Sequence, residues 1–139
     1  MQRRLQLILF GIIAVITPLH YCGVIFGWYY AVFWFDILMH IIGGIFIGAL
    51  FVYLFRVRRN FLKTESVLTF IILGAGFTVL VGVLWEFYEF FMDVVIFKQY
   101  SLLNTPGEIH FDTLKDLFND IVGGAIAVSF FGNFTRFRR

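Results

Sequence analysis

Apolar residues dominate four long stretches of this chain, and each stretch is interrupted by polar residues at only a few, regularly spaced positions. The stretches run from about Leu5 to Tyr21, Asp36 to Phe55, Ser66 to Phe97 and Asp112 to Phe131. About 20 apolar residues at ~1.5 Å of helical rise match a hydrocarbon core ~30 Å thick. In that solvent every backbone amide must be bonded within its own segment, which predicts helices. The expected fold class is all-α: one domain, residues 1–139, an integral membrane four-helix bundle with spans at about 5–21, 36–55, 66–97 and 112–131. The third stretch is long, so its helix is expected to tilt or project. Thr64 or Ser66 supplies its start signal. Thr17-Pro18 marks a kink near the end of the first, because Pro removes a backbone donor. Trp28, Tyr29, Tyr30 and Trp34 lie between the first two spans and suit a connection at headgroup level. Asn104-Thr105-Pro106-Gly107 reads as a turn within a loop at 98–111.

Composition strengthens the membrane reading. The chain is 60% hydrophobic, with 20 Phe, and only 14% charged. A soluble fold of 139 residues has no way to hide that much apolar surface. Arg3-Arg4 before an apolar run resembles a signal peptide, but no small-residue cleavage pattern follows, so a retained first helix is expected. The single cysteine, Cys22, excludes an internal disulfide and suits a small apolar filler.

The net charge of +2 matters less than where the charges fall. Arg3, Arg4, Arg56, Arg58, Arg59, Lys63, Arg136, Arg138 and Arg139 sit on one side of the expected bundle, and Lys98 and Lys115 on the other. Basic residues favour the cytoplasmic side, which places both termini there and makes the protein multi-pass in a plasma or inner membrane. The basic residues mix with Phe at chain ends and in one loop, a pattern for a membrane edge and not for nucleic acid. Membrane lipids are the expected partners, and a homo-oligomer is left open. Gly44 and Gly48, then Gly123 and Ala127, are spaced four apart, which lets helices approach closely. Gly74, Gly76 and Gly82 offer the same in the third span.

The acidic residues and histidines collect on the opposite, outer side. Asp36 and His40 are four apart on one helix face; Glu86, Glu89 and Asp93 share a second; Asp112, Asp116 and Asp120 form a stripe on a third. A charge in hydrocarbon costs roughly 2.5–3.5 kcal/mol even on the lenient insertion scale, so such groups need partners and mark function. Clustered carboxylates repel one another unless a cation joins them. Carboxylate oxygens with one imidazole suit Mg²⁺, Mn²⁺, Zn²⁺ or Fe²⁺, bound singly or as a pair. The expected metal ligands are Asp36, His40, Glu86, Glu89, Asp93 and Asp116, with Asp112 or Asp120 as ligand or general base. Lys115 and His110 are the candidate substrate-binding residues. Each has a plainer reading as well. Asp112 suits a helix cap, Glu108 and His110 a solvated loop, Asp93 the headgroup region and His20 the interface. Lys115 suits a pair with Asp112, and the buried carboxylates suit an internal hydrogen-bonded network.

Asp36-x-x-x-His40-x-x-Gly43-Gly44, Glu86-x-x-Glu89 and Asp112-Thr113-x-x-Asp116 with Gly123-Gly124 resemble the YjdF-like inner membrane proteins. More distantly the same order is similar to the VanZ-like membrane domain. The resemblance covers about Phe35 to Phe131. It implies a fold and a polar site but no reaction. The link of the VanZ-like group to glycopeptide resistance points to cell-envelope chemistry. Asp120 departs from the pattern, where a neutral residue such as Asn is expected.

Three functions follow as expectations. The first is a metal-dependent lipid-phosphate hydrolase or transferase, acting on a headgroup or lipid-linked phosphate at the outer leaflet. The second is a cation or proton transporter, although the inner half of each span is poor in polar groups. The third is a non-catalytic module that binds metal or envelope lipid.

Overall fold

The computed structural model describes residues 2–59, 61–62, 66–96 and 106–136, with the side chains of 93, 106–110 and 134–136 outside the description. The described chain is helical throughout, without strands. Helix α1 spans Gln2–Ile25, the short α2 spans Trp28–Ala31 and α3 spans Phe33–Phe51; α4 spans Val67–Phe91 and α5 spans Pro106–Arg136. Both α3 and α4 run on into wider π-helical turns, Val52–Arg58 and Met92–Ile96. Among the described residues, three helices are long and apolar enough to cross a membrane: Gln2–Ile25, Phe33–Arg58 and Val67–Ile96.

Local signals explain several boundaries. Ser66 caps α4, its Oγ accepting from the Thr69 amide at 3.2 Å. Gly27 ends the α1 turn with φ 67°, a left-handed conformation that glycine adopts without a Cβ penalty. The chain then folds back, and Trp28 and Tyr29 pack edge-on against Phe35. The start of the last helix differs from the sequence expectation. Pro106 and Gly107 do not form a turn before a helix at 112; they open α5 itself, six residues earlier. Proline suits a first helical turn, where its missing N–H has no partner to lose. Glu108 and His110 are therefore on helical backbone and not in a loop, and Asp112 is no cap.

Helix directions follow from the contacts. Gly48 meets Gly124 and Gly44 meets Asp120, so α3 and α5 run parallel, whereas Gly74 meets Val128 and Gly82 meets Asp120, so α4 is antiparallel to α5. A Cβ on Gly48 would lie 2.6 Å from the Gly124 carbonyl oxygen, and a Cβ on Gly44 or Gly123 would strike backbone of the facing helix. The α3–α5 seam thus depends on the small residues read from the sequence. Gly76 faces open space and takes no part.

The core lies at one end. Leu5 and Leu9 of α1, Ala49, Phe51 and Val52 from α3 and its extension, Phe70 of α4, and Ala127 and Val128 of α5 are buried together. Arg56 stacks over the Phe70 ring at 4.6 Å there. The opposite end is where α3 and α5 begin and α4 finishes, and it carries the acidic residues.

Candidate functional site

Three helices build the site because each places an acidic turn at that end. The Asp36–His40 spacing puts both side chains over one turn of α3. The close α3–α5 approach then brings Asp116 and Asp120 onto the same histidine. His40 Nε2 lies 3.5 Å from Asp36 Oδ1 and 3.9 Å from Asp116 Oδ1, and His40 Nδ1 lies 3.4 Å from Asp120 Oδ1. His40, Asp116 and Asp120 are all buried. From α4, Glu86 and Glu89 complete the far side.

Among the described residues, two groups of three can each offer ligand atoms within 4.8 Å of one another: Asp36, His40 and Asp116, and His40, Glu86 and Glu89. A slight inward shift would bring such atoms to the ~3–3.5 Å separations found around an ion with ligands ~2.0–2.2 Å away. His40 belongs to both groups. Two carboxylate oxygens in them, Glu86 Oε1 and Asp116 Oδ1, are buried with no hydrogen-bond partner, as is Asn119 Nδ2. A buried polar atom without a partner costs about 1–3 kcal/mol, and more when charged, so the two oxygens call for a cation or a donor.

Lys115 forms the outer edge. Its Nζ contacts Asp112 Oδ1 at 2.6 Å, Asp36 Oδ2 at 3.0 Å and Asp116 Oδ1 at 3.4 Å. The sequence offered Lys115 a phosphate or Asp112; the structure shows the Asp112 pair and adds two more carboxylates. Asp112 itself is exposed, with 66% of its side-chain surface accessible, whereas Asp116 retains 4%.

Of the expected site residues, Asp36, His40, Glu86, Glu89, Asp112, Lys115, Asp116 and Asp120 come together. The side chains of Asp93 and His110 lie outside the described residues. His20 stands in neither group of three. It is hydrogen-bonded to the Tyr29 hydroxyl at 2.6 Å and packs edge-on against Trp85. Burial, then the charges of Glu89 and Asp36, push the Tyr29 phenol well above its ordinary range, so it stays a neutral hydrogen-bonding group beside the acids.

Sequence reasoning missed Tyr29. Its company of Trp28, Tyr30 and Trp34 points only to a headgroup anchor, and nothing in the local pattern links it to Glu89.

No curated protein and no solved structure matches the chain. A family model described as "Predicted membrane protein (DUF2238)" matches residues 1–137. With nearly every residue inside that match, the chain belongs to the DUF2238 family of predicted membrane proteins.

Proposed function

We propose that this protein is a four-span membrane protein, with both termini cytoplasmic, that binds a divalent metal ion in its outer half and uses it to cleave or transfer a lipid-linked phosphate. The observation that carries the metal is the pair of buried carboxylate oxygens near His40 that accept no hydrogen bond, Glu86 Oε1 and Asp116 Oδ1. A self-contained structural network would give each of them a hydrogen bond. The residues fit the ion: carboxylates with one imidazole form a hard, oxygen-rich donor set. When bound, the metal supplies neutralisation of phosphate charge and an acidified water.

The chain's own groups have distinct parts in this reading. Glu86 and Glu89 hold negative charge against the α4 side of His40. Asp120 orients the imidazole through Nδ1 and fixes which nitrogen faces the ligands. Asp112 is exposed and within reach of a group arriving from headgroup depth, which suits proton acceptance. The motif resemblance to the YjdF-like proteins covers the same residues and supports the same site.

One observation favours a second reading, cation transport. Six carboxylates, Asp36, Glu86, Glu89, Asp112, Asp116 and Asp120, gather at this end, where the one ammonium among the described residues is that of Lys115, a formal excess of five negative charges with His40 neutral. Against it, the buried cluster around Val52 and Val128 is apolar.

The test is metal content of the purified protein by elemental mass spectrometry, beside Glu89→Gln and Asp116→Asn. Near-stoichiometric metal, lost in Glu89→Gln and weakened in Asp116→Asn, whose carboxylate borders the same histidine, is expected, followed by turnover of phospholipid or polyprenyl-phosphate substrates. Flux of the ion across liposomes without turnover would replace the enzyme reading with transport. No metal after Mn²⁺ or Zn²⁺ addition would end both metal readings.

A further inference from the structure

The two groups of three are not equivalent, because one of them already holds a cation. Lys115 Nζ touches Asp36 and Asp116, two of the three members of the outer group, and is anchored from outside by Asp112. Among the described contacts it touches neither Glu86 nor Glu89. Asp116 Oδ1 is buried, accepts no hydrogen bond, and has only ionic contacts, to Lys115 at 3.4 Å and His40 at 3.9 Å. That oxygen therefore has unused coordinating capacity directed into the space between the lysine and the imidazole.

We propose that Lys115 is a tethered counter-cation standing in the position of a second divalent ion, which holds the centre to one metal, at His40, Glu86 and Glu89. The inference rests on the metal reading given above and adds its stoichiometry and location. The physical argument is charge and space. Asp36, Asp112 and Asp116 carry three formal negative charges around one ammonium. A divalent ion entering the outer group must displace that ammonium from three contacts of 2.6–3.4 Å. It would also have to leave a positive side chain beside it, since the lysine is on the same helix as two of the three acids. Among the described residues the inner group has no such occupant, and Glu86 Oε1 has no hydrogen-bond partner. Removing the lysine charge should free Asp36, Asp112 and Asp116 to hold a second ion, while the imidazole nitrogen stays with the first.

Equilibrium dialysis against Mn²⁺ with elemental analysis tests this on the full chain, comparing wild type with Lys115→Met and Lys115→Arg. The expected result is one ion per chain in the wild type and the arginine variant, and two in the methionine variant. One ion in Lys115→Met overturns the inference and leaves the metal reading standing. Two ions in the wild type overturn it as well. No ion in the wild type overturns the metal reading and this inference with it. Should Lys115→Met fail to fold, electron paramagnetic resonance of the wild type decides. An isolated six-line Mn²⁺ spectrum up to saturation is expected, and a spin-coupled pair overturns the proposal.

Discussion

His40 is the residue on which the polar end turns. It meets Asp36 and Asp116 through Nε2 and Asp120 through Nδ1, and it belongs to both potential ligand sets. Replacing it should therefore do more damage than replacing any one carboxylate. His40→Ala is expected to lower metal affinity by more than ~100-fold. Asp120→Asn, which weakens only the orienting contact, should cost ~10–100-fold, as for other groups that hold a ligating histidine in place. Isothermal titration with Mn²⁺ separates the two, and equal losses would place Asp120 among the ligands. Much of this was legible in the sequence, because spacings of three and four residues define a helix face. The partnership of Lys115 with Asp36 was not, since it joins residues 79 apart and depends on how α5 seats against α3.

At the scale of elements, the acidic stripes meet only because α3 and α5 approach through glycine. A side chain at Gly48 would collide with the Gly124 carbonyl, and one at Gly123 with Ile41. Gly48→Val or Gly123→Ala should destabilise the protein by about 1–3 kcal/mol, the usual cost of overpacking. Gly76→Ala, facing open space on α4, should be neutral or stabilising by up to ~1 kcal/mol, from helix propensity alone. Thermal unfolding in one detergent compares them, and a harmless Gly123→Ala would mean the seam is looser than described. The spacing of Gly44 and Gly48 disclosed this seam in advance, while Gly76 showed no difference from Gly74 until their neighbours were known. The start of α5 lies earlier than the turn signal implies, for a related reason. Pro-Gly is a turn signal and Pro is also a good first helical residue, and only the tertiary context chooses between them.

Across the whole molecule, packing and chemistry occupy opposite ends. The buried apolar cluster joins Leu5, Val52, Phe70 and Val128, and the acids crowd the other end. The proposed topology puts the acidic end outside. Cysteine introduced at exposed Asp112, in a Cys22→Ser background, should react in intact cells with a maleimide that does not cross membranes. One at Arg58 should react only after lysis, and reversed labelling would invert the topology. The same division predicts where metal acts on stability. Without an ion, like charges from three helices oppose closure of the acidic end, while the apolar end is unaffected. An ion present at 100 times its dissociation constant stabilises the folded form by about 2.7 kcal/mol. That gain should be local before it is global, because regions open separately according to their own contacts. Hydrogen exchange with and without Mn²⁺ should show added protection around 86–89 and 112–120, little change around 49–53 and 127–128, and reversal by EDTA. Uniform protection of both ends would mean that the two do not open independently, and the division of labour between them would fail as an account of the fold.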